Sequence, residues 1–314
     1  MLKLKIFIQV FVISVLIWLI IGSLEAAEKG KGVYLLGTRD IRAGMIPGRG
    51  FYLRNDIIYM TGVTNSITVN GHPYYDLKTW AGTNKTTFNY VPGFKIFRGE
   101  YMASMEIFIN NVEMRYVDAY NGHSQSVDSK FGLGQIMIMP AALGWHGKYL
   151  HFKAYLPIYM PIGNYDADRL VNVSTNHFAI DPGMALTWYN ESSDTEFSGS
   201  AGLTVNFKNP ETKYRNGEEL HFDFAAIQRF KYGSRHIYGL GVVGYVYRQI
   251  IPDSQEGANY GDLKGKANAI GPLFTYHVRS HITSMEVIGK IYFKFGEENY
   301  LSLNSYWLGI NFFF

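Results

Sequence analysis

The chain has 314 residues, with 29 Lys+Arg against 26 Asp+Glu, and its net charge of +3 excludes a broad nucleic-acid-binding surface. Cysteine is absent, which excludes disulfide scaffolds, thiolate metal sites and thiol nucleophiles. A mean hydropathy of −0.06 excludes a polytopic helical membrane protein, whereas 16% aromatic residues and 33 glycines fit a β protein that meets lipid.

The chain opens with Lys3 and Lys5, followed by an apolar run from Ile6 to Ile21 broken only by Gln9 and Ser14. Gly22-Ser23 ends that run, and Leu24-Glu25-Ala26 offers small or apolar residues at −3 and −1 of a cleavage site, with cleavage after Ala27 as the alternative. This pattern predicts a secretory signal peptide over residues 1–26. The run is short of the ~18 apolar residues of a secure helical span. Export in a bacterium leads to the periplasm, the outer membrane or the medium.

Residues 27–50 form a Gly-rich segment carrying Arg39, Asp40, Arg42 and Arg49. They are expected to lie in the periplasm or in a lumen. A plug, a lining of the periplasmic mouth and a loose tail all fit this composition.

From residue 51 onward the pattern is β. Twelve strands are expected, at about 51–60, 76–90, 101–116, 131–143, 148–161, 176–189, 195–207, 219–231, 237–251, 264–278, 283–296 and 303–314. Several alternate strictly, as a strand with two different faces must. Leu150, Phe152, Ala154, Leu156, Ile158 and Met160 oppose His151, Lys153 and Tyr155. Phe178, Ile180, Met184, Leu186 and Trp188 oppose His177, Asp181 and Thr187. Phe197, Ala201, Leu203 and Val205 oppose Glu196, Ser198, Ser200 and Thr204, and Leu220, Phe222 and Phe224 oppose His221, Asp223 and Arg229. Met285, Val287, Ile291 and Phe293 oppose Glu286, Lys290, Tyr292 and Lys294. The strands at 237–251 and 264–278 show no clear lipid face. Pro157 and Pro182 should mark bulges or strand ends, because proline removes a ladder donor.

Short turns at about 91–100, 144–147, 190–194, 232–236 and 279–282 alternate with longer polar segments at about 61–75, 117–130, 162–175, 208–218, 252–263 and 297–302. Short turns on one side and long loops on the other is the outer-membrane pattern. An even strand number places both ends of the barrel on the periplasmic side.

In the last strand Tyr306, Leu308, Ile310, Phe312 and Phe314 form one apolar face with aromatics at both ends. The expected fold is all-β, a closed antiparallel transmembrane barrel of about twelve strands over residues 51–314. Its partners are expected to be the lipid bilayer, a small hydrophobic solute, and the barrel-assembly machinery reading Tyr306–Phe314.

Several stretches resemble the outer-membrane proteins associated with phenol meta-pathway degradation. They are Tyr34-Leu-Leu-Gly-Thr-Arg39, Gly50-Phe-Tyr-Leu-Arg-Asn-Asp56, Ala142-Leu-Gly-Trp-His146, Tyr155-Leu-Pro-Ile-Tyr-Met-Pro-Ile-Gly-Asn-Tyr-Asp166 and Asn206-Phe-Lys-Asn-Pro-Glu-Thr-Lys-Tyr-Arg-Asn-Gly217, then Gly261-Asp-Leu-Lys-Gly265 and Ile270-Gly-Pro272. They run in order over nearly the whole exported chain. The resemblance implies a barrel that moves small hydrophobic or aromatic compounds, and it implies no catalytic residues.

The residues themselves also argue for passage rather than catalysis. His123-Ser124 are sequence neighbours whose side chains diverge, and His151, His177, His221 and His277 fall inside strands. The nearest carboxylate–histidine grouping, Glu218-Glu219 with His221 and Asp223, reads as a solvated rim. No His-x-His or His-x3-His spacing suggests a metal site, and the glycines near Gly239 precede no helix, so no phosphate cradle and no cofactor is expected. Inward-facing charges are expected at Arg54, Lys153, Arg229, Lys290 and Lys294, against Asp56, Glu106, Asp181, Glu196, Asp223 and Glu286. Near-balance of sign suggests ion pairs within the wall rather than a single-sign selectivity ring. An outer-membrane channel, passively admitting small hydrophobic or aromatic compounds, is therefore the leading expectation. An occluded surface-interaction barrel is the alternative, and a barrel hydrolase is a more distant one.

Overall fold

The computed structural model describes residues 32–69, 72–118, 125–254, 264–279, 284–301 and 303–313. The expected signal peptide, His123-Ser124 and Phe314 lie outside them. The strands are β1 (Gly50–Val69), β2 (His72–Val91), β3 (Lys95–Ile96), β4 (Gly99–Asp118), β5 (Gln125–His146), β6 (Leu150–Met160), β7 (Ala179–Ile180), β8 (Gly183–Asn190), β9 (Thr195–Asn206), β10 (Glu219–Tyr232), β11 (His236–Gln249), β12 (Lys266–Arg279), β13 (Ser284–Glu298) and β14 (Asn304–Phe313). They form one antiparallel sheet, and β1 is bonded both to β2 and to β14, so the sheet closes. Closure satisfies every edge without water, which is what a hydrocarbon surround demands. Two pieces do not cross alone. β3 lies in the hairpin before β4, and β7 and β8 are halves of one strand, which leaves twelve crossings among the described residues.

Proline explains the interruptions. Asp181-Pro182 separates β7 from β8, and the flanking groups are still satisfied: Asp181 N–H donates to the Pro157 carbonyl at 3.0 Å, and Leu203 N–H to the Pro182 carbonyl at 3.0 Å. The β5–β6 register shifts between Ile138 and Ala141, a stretch that contains Pro140.

Two expected loops are strand instead. The polar segment placed at 61–75 belongs to the ladder: β1 continues to Val69, β2 begins at His72, and pairing runs from Thr61↔Trp80 to Val69↔His72. The segment placed at 117–130 shrinks likewise, because β4 ends at Asp118 and β5 begins at Gln125. Polarity in these stretches does not mark a chain reversal. Thr and Val are good strand formers whichever solvent they face.

The two strands without a legible face now have a register. Tyr238, Leu240, Val242, Ile270 and Phe274 point outward, while Val243, Tyr245, Tyr247, Ala267 and Leu273 are buried inside. Elsewhere Ile57, Leu186, Phe197, Phe222 and Leu308 continue the exposed apolar belt. Aromatics mark its two borders, with Phe51, Tyr90 and Tyr232 toward the short turns and Tyr59, Tyr306 and Phe293 toward the long loops. Such girdles sit at membrane–water interfaces.

The core lies inside the cylinder. Residues 32–49 run through the lumen, and Val33, Tyr34, Leu36, Ala43 and Ile46 share one buried cluster with wall residues such as Met102, Met137, Tyr159, Tyr292 and Trp307. No helix among the described residues is long and apolar enough to cross a membrane, which says nothing about crossing by strands.

Candidate functional site in the occluded lumen

The N-terminal segment is held by bonds spread around the wall. Near the long-loop end Val33 offers its carbonyl to Gln135. Tyr34 stacks on His221 with ring centroids 3.6 Å apart, and its hydroxyl donates to Asp223. The backbone N–H groups of Gly37 and Arg39 donate to the same carboxylate at 3.1 and 3.0 Å. The Arg39 guanidinium donates to Asp181 at 2.8 Å and lies over the rings of Tyr34 and Tyr155, 4.8 and 4.9 Å from their centroids. Asp181 also meets His221 Nε2 at 2.8 Å. Arg39, Tyr34, Asp181, His221 and Asp223 therefore form one knot between plug and wall.

Lower in the lumen the plug presents both signs to the wall. Asp40 on the plug is met by Lys290 at 2.8 Å and by the Tyr292 hydroxyl, and Lys290 also donates to the Gly37 carbonyl at 2.6 Å. Arg42 pairs with Glu286, while its N–H donates to Glu196 at 2.7 Å. Gly44 N–H donates to Thr187 at 2.9 Å, and a Cβ there would lie 2.5 Å from the His151 carbonyl, so only glycine lets the segment approach the wall this closely. Gly37 has φ +81, and a Cβ on it would strike the Tyr292 ring at 2.5 Å. The last residues leave at the short-turn end, where the Tyr52 hydroxyl donates to the Gly48 carbonyl. Arg49 is exposed there and its side chain lies against Gly93.

The wall charges also pair with one another. Arg54 makes a forked bond to Asp56 at 2.7–2.9 Å, and Lys85 lies 3.5 Å from Asp56 and 3.7 Å from Glu106. Arg229 donates to Glu196 at 2.5 Å. Lys294 lies at the upper rim, bonded to Glu297 and to the Val63 carbonyl. His177 is buried between the Thr175 carbonyl and Asn206. His151 lies at the short-turn end with its Nδ1 3.0 Å from that of His146. Lys153 forms no ion pair among the described residues, and its ammonium lies 5.8 Å from the Tyr155 ring centroid.

Two readings of these charges need correction. The near-balance of sign does not simply lace the wall together, because Asp181, Asp223, Glu286 and Lys290 spend bonds on the plug. The grouping around Glu218-Glu219 is not a solvated rim either. Glu218 pairs with Arg215, but Glu219, His221 and Asp223 are all buried, and Glu219 accepts from Asn206 at 3.1 Å. The plug covers this stretch of β10 and removes the water that its polar residues suggest.

Sequence reasoning also missed residues that matter here. Lys85 sits on β2 between the buried Thr83 and Thr87, and outward Phe88 and Tyr90 were the available sign of its inward face. Tyr34, Tyr159 and Tyr292 read as generic aromatics, although each presents its hydroxyl to a charged group or accepts from one.

The plug divides the lumen into chambers. The one toward the long loops, ≈ 1080 Å³ counted to its open mouth, is lined by Leu36, Phe108, Val112, Val173, Tyr245 and Trp307, with Asn110 and Gln135 among the few polar groups. Toward the short turns a second chamber, ≈ 1230 Å³ counted out to its open mouth, lies between the plug and β1, β2, β4, β5 and β6.

A closed cylinder of twelve antiparallel crossings, apolar outside and filled by its own N-terminal segment, is an outer-membrane-type β-barrel with an inserted plug. The chain belongs to the family described as "Putative MetA-pathway of phenol degradation", whose model matches residues 60–310. No curated protein matches the sequence. Among solved structures it is similar to the COG4313 outer membrane channel from Pseudomonas putida F1, with 12% identity and a TM-score of 0.56, covering 89% of this chain and 98% of that one. It is also similar to the transport unit of the autotransporter AIDA-I from Escherichia coli, with 9% identity and a TM-score of 0.49, covering 91% and 94% of the two chains. At such identities the likeness is one of fold.

Proposed function

We propose that this protein is a passive outer-membrane channel for small hydrophobic or aromatic compounds, and that it carries out no chemical step. The observation that carries the reading is the apolar chamber above the plug, whose walls offer Phe108, Val112, Tyr245 and Trp307 to a solute arriving from the long-loop side. A concave, largely apolar lining with a limited set of polar groups suits compounds that lose little by shedding water. The family's description and a solved outer membrane channel of similar fold support the same reading. His221 is engaged by Asp181 and stacked under Tyr34, so this His–Asp pair serves the knot rather than a hydroxyl nucleophile.

Passage requires residues 32–46 to shift, since they fill the cross-section at the knot. Inner-wall groups and loops would then select the solute. Uptake of toluene and phenol by liposomes carrying the purified protein tests this. Uptake above that of empty liposomes, faster still when residues 32–46 are deleted, is the expected result. Equal leak in all three preparations sinks the reading.

The bonding of the plug favours a second reading, an occluded barrel whose loops do the work. It predicts the same liposome permeability with and without the protein. In either case the signal peptide over residues 1–26 would direct export, and the outward face Tyr306, Leu308, Ile310 and Phe312 of β14 would be read by the assembly machinery. Replacing Tyr306 and Phe312 together by Asp should then leave the chain unassembled in the periplasm.

A further inference from the structure

The lower chamber has a charge inventory that does not close. Five cations line it: Arg39, Arg42, Arg54, Lys85 and Lys153. Four carboxylates serve them. Asp181 pairs with Arg39, Glu286 with Arg42, Asp56 with Arg54 and Lys85, and Glu106 with Lys85. The fifth cation, Lys153, has no carboxylate partner among the described residues, and it is half-buried. Two further groups on this chamber's lining, the hydroxyls of Thr38 and Thr87, are buried without a hydrogen-bond partner. Met45, Met102, Met137 and Met139 beside Ile46 give the lining an apolar, adaptable stretch, with Asn89, Ser104 and Asn311 as further polar groups. An unpaired ammonium in such a place is costly and gains most from an anion that brings its own apolar body.

We propose that the lower chamber is a binding site for a small amphipathic carboxylate, with Lys153 as its counter-ion and the methionines holding its apolar part. The inference deepens the channel reading, on which it rests for its biological meaning, by naming the charge class of the solute. The wall of β6 supplies the ammonium from an inward position, and the Arg39 side chain lines the same space with its own charge already matched by Asp181.

Three probes of one shape test it: benzoate, neutral benzamide and cationic benzamidine, titrated into the purified full-length protein in detergent. Benzoate should bind saturably and at least tenfold tighter than benzamide, with benzamidine weakest. Lys153→Gln should bring benzoate down to the benzamide level, and Lys153→Arg should keep the preference. Equal affinities for the three probes, or unchanged benzoate binding in Lys153→Gln, would overturn the proposal. If Lys153→Gln gives no folded band on a heat-modifiability gel, the three-probe comparison on the wild-type protein decides alone. Liposome uptake keeps the two readings apart. Benzoate that binds but never crosses leaves this site standing and removes the channel. Neutral aromatics that cross while benzoate does not bind do the reverse.

Discussion

Arg39 and Asp181 meet at 2.8 Å inside the barrel, 142 residues apart in sequence, and both are largely shielded from water. Their contact joins the plug to the wall at the break between β7 and β8. Asp181 is the better served of the two, since His221 also reaches it. Arg39 has the rings of Tyr34 and Tyr155 as additional neighbours.

Arg39→Ala should therefore loosen the plug more than the barrel. Removing one partner of a buried ion pair costs about 3–5 kcal/mol because it strands the other charge. Here His221 stays beside Asp181, so the lower end of that range is expected. Single-channel recordings should show longer or larger open events than the wild type, and a protease added to the purified protein should reach residues 32–46. Unchanged recordings together with full protection would contradict the knot's role as the latch.

Gly37→Ala tests the same latch through the backbone. Its φ of +81 and the Tyr292 ring 2.5 Å from an added Cβ oppose any side chain. Strain of this kind costs of order 1–3 kcal/mol. The variant should assemble normally, as the wall pairing does not involve Gly37, yet behave like Arg39→Ala in the protection assay. A variant that protects its plug like the wild type would show that Tyr292 can move aside.

Lys290→Met leaves Asp40 buried with only the Tyr292 hydroxyl and its own neighbouring N–H. The expected loss is about 3 kcal/mol, again the cost of an unpaired buried charge. The double variant Lys290→Met with Asp40→Leu should recover much of it, since both charges are then gone. Urea unfolding in lipid vesicles measures both. A double variant no more stable than the single one would argue against a direct pair.

Leu308 lies near the middle of β14 and faces outward, half-exposed on the cylinder, while its neighbour Trp307 faces the lumen. Leu308→Arg should cost about 2–4 kcal/mol in unfolding from lipid, the depth-dependent cost of a charge at mid-bilayer. An effect below ~1 kcal/mol would place Leu308 at an interface or in water, and the membrane position of the belt would have to be redrawn.

The alternation of β6, β8, β9, β10, β13 and β14 was legible because a strand's two faces differ at every second residue, which is a local property. Thr61 to Val69 was misread for the complementary reason. Its polar residues break the alternation, and only pairing with residues 72–80 shows that the segment is a ladder. β11 and β12 hid their register because glycines 239, 241, 244 and 271 occupy positions that would otherwise mark a face.

Composition and period two alone pointed to a lipid-facing cylinder with many of its charged side chains directed inward. Only the tertiary structure decided that residues 32–49 fill that cylinder, and which charge each inward residue meets. The partners of Tyr34, Arg39 and Asp40 are 189, 142 and 250 residues away. Hydrophobic alternation reports which solvent a side chain faces, but the identity of a partner depends on how the closed sheet brings distant strands round a shared axis.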